Sequence, residues 1–529
     1  MKKILFLIPP NDGMSEYMTT HHKNLPAIHY GILSIASYVK DKLEDAVDVR
    51  ILNYNTIQFH DFTGEDYLTH LEREIIEFKP DFIGISGMFN FLVDIVDLLI
   101  RTIKGKFPEC LVFCGGPCGM AYAGKFLLES GADAISNYEG EIPILRLLSE
   151  DNPWEEFKTG KSWLTVEKLN ENFQPEPEYL VDLDEIPPLH FDLLGDLKQY
   201  TEVSSIMDLE EKQYLSLPIH TTRGCPFNCV FCASSYVHGK RVRRMSPERV
   251  ISDVKRMVEE YHINRLEICD DQFLINDQNR VKQILRGLSE FGVDMTASSG
   301  LSIIGIDDEV AYLLKKAGMH AVSLALESGS EYILKKIIDK PVVLPTVKSV
   351  VSKLKQNGIL VHAFIVIGFP GEKEEHRQES LKFLETSGID WYSVVCATPI
   401  KGSRLYDLCV EKHYIEEDVR AESGFYCSVI KTEDFSPEEI TKKAYLLNLH
   451  LNFIHNHNYE SGNYEIAYKY FRYVTNKFPF HATAFYMLAK TERKLGMPEW
   501  KCHMEEFAEL SKTGEWREYA EYFCLDKNQ

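Results

Sequence analysis

No stretch of the sequence is apolar for the ~20 residues that a membrane-spanning helix requires, so no membrane association of that kind is expected. The N-terminal run Met1-Lys-Lys-Ile-Leu-Phe-Leu-Ile-Pro-Pro10 has only five consecutive apolar residues and no small-residue cleavage site behind it. It reads as a first β-strand and not as a signal peptide. Positive charge is in short supply: 58 Lys and Arg face 80 Asp and Glu, a net charge of −22. A phosphate backbone would be repelled on average, which disfavours general nucleic-acid binding. Cysteine is thin, twelve in 529 residues, apart from two tight groups. A disulfide-stapled secreted scaffold matches so long a chain poorly. A reducing cytoplasm fits better, and there a tight cysteine group more often means metal or redox chemistry. Charged residues are interspersed with apolar ones throughout, so the chain is expected to fold, at ~100–200 residues per domain, into about three or four domains.

The hydrophobic pattern predicts an α/β fold in successive parts. Strands at Ile4–Ile8, Val47–Asn53, Asp81–Ser86, Leu111–Cys114 and Ala134–Asn137 alternate with helices at Tyr30–Leu43, Tyr67–Phe78, Phe91–Lys106 and Ala121–Ser130. That rhythm implies a Rossmann-like N-terminal domain, residues 1–145, with a parallel sheet wrapped on both faces. Residues 146–205 are punctuated by Asn152-Pro-Trp154, Pro175-Glu-Pro177 and Ile186-Pro-Pro188 and read as a packed linker. A second series follows over residues 206–410. Its strands are placed at Pro218–Thr222, Arg265–Cys269, Asp294–Ser298, Ala321–Leu326, Leu360–Ile367 and Ser393–Ala397. Helices fall at Pro247–Tyr261, Asn276–Phe291, Asp308–Ala317, Pro345–Asn357 and Glu375–Thr386. This is a partial (β/α)6 barrel, whose ligands would sit at the strand C-termini. Residues 411–529 form a helical C-terminal domain with helices at Asn463–Phe478, Ala482–Leu495 and Trp500–Leu510. Gly462, Ala467, Pro479, Ala484, Leu488 and Gly496 fall near tetratricopeptide-like positions, though a plain helical bundle fits them at least as well.

The most informative stretch is Thr221-Thr-Arg-Gly-Cys-Pro-Phe-Asn-Cys-Val-Phe-Cys232. Cys225, Cys229 and Cys232 are spaced C-x3-C-x2-C directly after a strand, and thiolates on one short loop can converge on one metal centre. Three ligands would leave one iron of a four-iron cluster without a cysteine from this loop. A structural zinc site would need a fourth ligand, for which His238 is the nearest candidate. Cys110, Cys114 and Cys118 form a second group, C-x3-C-x3-C. An extended strand would hold Cys110 and Cys114 ~13 Å apart, so these three read as small buried residues. The basic run Lys240–Arg244 reads as a solvated loop or as a partner for acidic neighbours.

With an aromatic before the third cysteine, the loop resembles the signature of radical S-adenosylmethionine (SAM) enzymes. Thr222-Arg-Gly-Cys-Pro226, Ile268-Cys-Asp-Asp-Gln-Phe273, Leu324-Ala-Leu-Glu-Ser-Gly-Ser330, Ile367-Gly-Phe-Pro-Gly-Glu372 and Thr398-Pro-Ile-Lys-Gly-Ser-Arg-Leu-Tyr406 resemble that family's further segments in order. The resemblance implies a 4Fe-4S cluster on Cys225, Cys229 and Cys232, with SAM chelating the fourth iron through its amine and carboxylate. It also implies Phe231 near the adenine, Asp270 or Asp271 at the methionine amine, Glu327 at the ribose and Gly368 beside the adenosine. The bland readings are a solvated βα loop for the two aspartates and a helix-start carboxylate for Glu327. One electron from the cluster would break the C–S bond of SAM and give an adenosyl radical in a closed barrel.

The first domain resembles the cobalamin-binding domain that precedes many such barrels. The likeness rests on Asn24-Leu-Pro-Ala-Ile-His-Tyr-Gly-Ile-Leu33, Phe82-Ile-Gly-Ile-Ser-Gly-Met88, Val112-Phe-Cys-Gly-Gly-Pro117 and Asn137-Tyr-Glu-Gly-Glu141. It implies that Ser86, Gly115 and Gly116 receive the nucleotide tail of cobalamin. The Asp-x-His-x-x-Gly segment of cobalt-ligating domains is missing from Pro9–Glu16, so cobalt would be bound without an imidazole from His21, His22 or His29. The expected activity is cobalamin-dependent methylation of an unactivated carbon in a small-molecule or peptide substrate, with an external one-electron reductant. The rivals are a radical SAM enzyme that has lost cobalamin and performs rearrangement, cyclisation or C–C coupling, and a non-enzymatic iron–sulfur or helical adaptor. Methylthiolation of transfer RNA is counted against by the acidic charge.

Overall fold

The computed structural model describes residues 1–11, 26–59, 62, 64–275, 277–416 and 424–525. The fold is mixed α/β with parallel sheets and a helical C-terminal region. It divides into two compact units. The first comprises Met1–Glu202, Leu215–Phe273 and Thr398–Gly424. The second comprises Val203–Tyr214, Leu274–Ala397 and Phe425–Gln529.

The first unit opens with β1 (Lys2–Ile8), α1 (Tyr30–Leu43), β2 (Val47–Asn53), α2 (Gly64–Phe78), β3 (Phe82–Ser86), α3 (Val93–Lys106), β4 (Leu111–Gly115), α4 (Gly116–Ala121) and β5 (Ala134–Ser136). The five strands pair in parallel in the order β2-β1-β3-β4-β5, a doubly wound Rossmann-like sheet. Strand periodicity decides which residue faces which layer. Leu5, Leu7, Ile83, Ile85, Val112, Cys114 and Ile135 join the core under α2 and α3. Their neighbours Ile4, Phe6, Phe82, Phe113 and Ala134 join the opposite core, under α1 and the helix α5 (Glu141–Ser149). Each fully buried Leu, Ile or Phe contributes about 1.5–3 kcal/mol, which is what commits both faces to burial. Cys110, Cys114 and Cys118 lie in the first of these cores, buried as expected.

Two differences from the sequence pattern are informative. The region expected at Ala121–Ser130 is not one helix: α4 ends at Ala121, and residues 126–130 make a wider π-type turn that stops at Gly131. Within residues 146–205, Trp163–Leu164 forms β6, an antiparallel edge strand on β5. Trp163 is fully buried, and its indole N–H donates to Glu156 Oε1 at 3.2 Å. Two residues carry no periodicity, so the pattern cannot signal such a strand.

The rest of this unit holds β7 (Gln213–Ile219), β8 (Thr222–Arg223), α6 (Ser234–His238), β9 (Arg243–Arg244), α7 (Pro247–Tyr261) and β10 (Arg265–Ile268). β7 and β10 pair in parallel from Ser216↔Arg265 to Ile219↔Ile268. The helix α7 starts where Ser246 accepts the Arg249 N–H and Pro247 occupies the first turn.

The second unit holds α8 (Gln278–Leu288), β11 (Asp294–Thr296), α9 (Asp308–Lys316), β12 (Ala321–Glu327), α10 (Leu344–Gln356), β13 (Leu360–Ile367), α11 (Glu374–Glu385) and β14 (Trp391–Cys396). β12, β13 and β14 pair in parallel in that order. The helices α12 (Pro437–Leu449), α13 (Tyr464–Lys477), α14 (Ala482–Leu495), α15 (Trp500–Leu510) and α16 (Gly514–Tyr522) follow. They are keyed to the strands by Trp391 stacked on Tyr470 at 4.9 Å, and by the Tyr470 hydroxyl 2.9 Å from His362 Nε2. Asn452 adds two 2.8 Å bonds to the Tyr392 backbone. Among the described residues no helix is long and apolar enough to cross a membrane.

Candidate active site

The cysteine loop leaves β8 at Gly224 and runs without regular structure to α6. Cys225 and Cys229 are half-buried, and Cys232 is exposed. Three neighbours at the end of β10 fix the loop. Asp270 is buried and accepts from both the Thr221 N–H and the Thr221 hydroxyl at 2.5 Å. Asp271 bridges the two ends of the loop, accepting the Gly224 N–H at 2.9 Å and the Ser234 hydroxyl at 2.5 Å. The Gln272 amide donates to Cys225 Sγ at 3.2 Å, and the Ser234 N–H approaches Cys232 Sγ at 3.5 Å. Within the loop, the Cys232 N–H closes a turn on the Cys229 carbonyl at 3.1 Å, and the half-buried Phe231 sits in that turn.

These residues suit a polynuclear iron–sulfur cluster. N–H donors on the sulfurs favour thiolate over thiol and tune a cluster's potential. Thiolates around a single tetrahedral zinc would stand roughly 3.8 Å apart, for Zn–S ≈ 2.3 Å. Among the described residues, the three cysteine sulfurs are not part of any ligand group gathered within 4.8 Å. His238, the candidate fourth zinc ligand, is instead engaged with Glu139, its Nδ1 lying 2.7 Å from Oε1.

That contact belongs to a buried charge network absent from the sequence-based expectation. Arg223, the residue before Gly224, donates to Glu139 Oε2 at 3.1 Å, Glu141 Oε1 at 2.7 Å and Ser34 Oγ at 2.9 Å. Arg243 donates to Glu139 at 2.8 Å and 2.5 Å and to the Leu180 carbonyl at 2.9 Å, with its guanidinium 4.4 Å from the Tyr179 ring. Burial alone would raise the Glu139 carboxyl. Arg223, Arg243 and His238 outweigh burial and hold it well below the usual carboxylate range. Of the two readings of the basic run, a solvated loop or a partner for acidic neighbours, Arg243 follows the second: it is 6% exposed, and its partner is an acid 104 residues earlier in the chain. The Asn137–Glu141 segment, which follows β5, is thereby tied to the cysteine loop.

Ser86, Gly115 and Ser136 lie in one register row across the carboxyl ends of β3, β4 and β5. A Cβ on Gly115 would meet only Ser136, at 3.6 Å or more. The row is made of small residues at the carboxyl end of the sheet, where α/β folds bind nucleotide-like groups, and their size suits a flat cofactor tail. Gly116 differs: its φ is +84°, and a Cβ there would lie 2.7 Å from the Gly87 carbonyl. The chain's own backbone requires that glycine, whatever binds. His29 is buried, and burial holds its imidazole down to about 4. His21, His22 and most of Pro9–Glu16 lie outside the described residues.

Glu327 and Gly368 belong to the second unit, at the ends of the adjacent strands β12 and β13. Glu327 does not start a helix. It sits past a β-bulge with φ +72°, and its Oε1 accepts Lys340 Nζ at 2.8 Å. A left-handed backbone at a non-glycine residue costs ~1–3 kcal/mol and concentrates at functional sites. Gly368 has φ +88°, and a Cβ there would press on Ile440 at 2.6 Å. Its N–H donates to Glu372, a carboxyl that burial pushes up to about 7.

Residues 219–384 match the radical SAM superfamily. A cytidylyl-2-hydroxyethylphosphonate methyltransferase of Streptomyces wedmorensis is 28% identical over 373 residues, spanning 65% of this chain and 69% of its own. An uncharacterized methyltransferase of Pyrococcus horikoshii is 28% identical over 453 residues, spanning 84% of this chain and 92% of its own. Among solved structures, the cobalamin-dependent S-adenosylmethionine radical enzyme OxsB superposes with a TM-score of 0.65 at 14% identity, over 100% of this chain and 80% of its own. The radical S-adenosylmethionine methyltransferase TsrM from Kitasatospora setae superposes with a TM-score of 0.61 at 13% identity, over 97% and 99%. At such identities these two likenesses establish the fold.

Proposed function

We propose, from the match of residues 219–384 to the radical SAM superfamily, that the chain is a cobalamin-dependent radical SAM enzyme whose favoured reaction is methylation of an unactivated carbon. When bound, the cluster supplies the electron that splits the SAM sulfonium, and cobalamin supplies the methyl group. The observation that carries the reading is the braced cysteine loop: Cys225, Cys229 and Cys232 on one segment, with the Gln272 N–H on a sulfur and Asp271 tying both ends.

The residues divide the work as follows. Cys225, Cys229 and Cys232 hold the cluster. Phe231 in the same turn offers its backbone to the adenine. Of the two aspartates, Asp271 is the one we assign to the methionine amine, because it is half-buried and spans the cysteine loop, whereas Asp270 is buried against Thr221. Glu327 takes the ribose, and Gly368 ends a strand beside the adenosine. Ser86, Gly115 and Ser136 receive the cobalamin tail. The methyltransferase names of both relatives support methyl transfer. The substrate class is a small molecule or peptide, the reductant an external one-electron donor and the compartment a reducing cytoplasm. That last point rests on the scarcity of cysteine outside the two groups.

The test is expression with added cobalamin, anaerobic reconstitution of the cluster, and incubation with methyl-labelled SAM and a reductant. Retained corrin absorbance together with label transferred to a carbon of a co-supplied substrate is expected. SAM cleavage by a protein that retains no corrin would leave a radical SAM enzyme without the methyl-transfer partner, and would overturn the cobalamin reading.

A further inference from the structure

We propose that Glu385, His450 and His455 form a divalent-metal site of the zinc class, separate from the cysteine loop. Glu385 is the last residue of α11. α12 runs on into a π-type turn over His450–Ile454, closed by the His455 N–H on the His450 carbonyl at 2.7 Å. In an α-helix of 3.6 residues per turn, side chains five apart are rotated by roughly 140° and cannot converge. The wider π-turn reduces that rotation and sets the two imidazoles side by side, with ring centroids 4.3 Å apart and 31° between planes. Such turns cost helix stability and recur at functional sites.

One ligand atom from each of the three residues lies within 4.8 Å of the other two. Ligand atoms around a tetrahedral zinc stand roughly 3.3 Å apart, for metal–ligand distances of about 2.0–2.1 Å. Closing the site therefore takes side-chain shifts of about an ångström, and these side chains are free enough to make them, being 32% (Glu385), 20% (His450) and 42% (His455) exposed. His450 Nε2 already lies 2.7 Å from Glu385 Oε1, and His455 Nδ1 lies 2.9 Å from Glu460 Oε1. Glu460 is thus placed to be a fourth ligand or to hold His455 in its ligating tautomer. Two imidazoles with a carboxylate are a donor set that zinc accepts. A metal there would clip the end of α11 to the start of the C-terminal helical region.

The test uses the full chain with its iron–sulfur cluster reconstituted, incubated with Zn2+ and desalted, together with His455→Gln and Glu385→Gln, whose side chains are partly exposed and whose loss should leave the fold intact. Expected is stoichiometric zinc in the parent, an anomalous-scattering peak beside His450 and His455, and an affinity weakened ~10–100-fold or more in each variant. Cys225→Ala, treated in the same way, should keep this zinc. No retained zinc in the parent, zinc unchanged in the His455→Gln/Glu385→Gln double variant, or zinc lost only with Cys225→Ala would overturn the proposal.

Discussion

Glu139→Gln should unlatch the cysteine loop from the first domain. The substitution keeps the side chain's shape and removes the charge shared by Arg223, Arg243 and His238. The side chains of Glu139, Arg223 and Arg243 are 3%, 4% and 5% exposed, so water cannot take over the lost interactions. Orphaning a buried charge costs about 3–5 kcal/mol, and because Arg223 keeps Glu141 the lower end is expected, about 3 kcal/mol. Arg223 immediately precedes Gly224 and Cys225, so the loosening should also lower the iron retained after reconstitution. Urea unfolding at neutral pH and iron per chain are the two readouts. The pH dependence has a definite sign. The folded Glu139 carboxyl titrates below its ordinary 4.5, so its contribution is whole above that value and is lost as the pH falls towards the depressed one. The gap between parent and variant should stay constant from neutral to mildly acidic pH and narrow only below 4.5. Glu139→Gln/Arg243→Met, which leaves no orphaned Arg243, should be less destabilised than Glu139→Gln alone. A single variant within ~0.5 kcal/mol of the parent and with full iron would refute the latch.

Glu372 gives the opposite slope: burial raises its folded pKa to about 7 from 4.5, so the folded state holds the proton more tightly and stability falls as the pH rises between those values. That is about 3 kcal/mol at ~1.4 kcal/mol per pH unit, and Glu372→Gln should flatten urea midpoints measured at about pH 5 and pH 8, whereas an unchanged slope would contradict the assignment. Gly115→Trp should lose the corrin yet keep iron and SAM cleavage, because a Cβ there meets Ser136 only at ordinary contact distance. Stoichiometric cobalamin in that variant would remove Ser86, Gly115 and Ser136 from the tail path. Alanine at Cys225, Cys229 or Cys232 should abolish cluster absorbance, whereas Cys114→Ala, a change inside the sheet core, should leave it largely intact.

Elements with strong periodicity were legible in the sequence: Tyr30–Leu43, Pro247–Tyr261, Leu360–Ile367 and Ala482–Leu495 occupy the stretches that the pattern marks. The cysteine loop was legible because all its ligand candidates lie within eight residues. What escaped depends on partners distant in the chain. Arg243 sits in a basic run, and only the fold brings Glu139 to it. Ser136 ends a three-residue strand, and nothing local marks it as a neighbour of Gly115. The glycine pair after β4 was read as one feature, yet a Cβ on Gly115 would meet Ser136 only at ordinary contact distance, while Gly116 answers to Gly87. The imidazole pair depends on a π-turn, which helical periodicity does not encode.

Reductive cleavage of SAM by this chain is tested by anaerobic assay of the reconstituted full chain with SAM and a strong one-electron reductant, with formation of 5′-deoxyadenosine followed by mass spectrometry. 5′-Deoxyadenosine is expected from the parent protein and none from the Cys225→Ala/Cys229→Ala/Cys232→Ala variant. Formation at equal rates by both, or no cleavage by a parent protein carrying a full cluster, would contradict it.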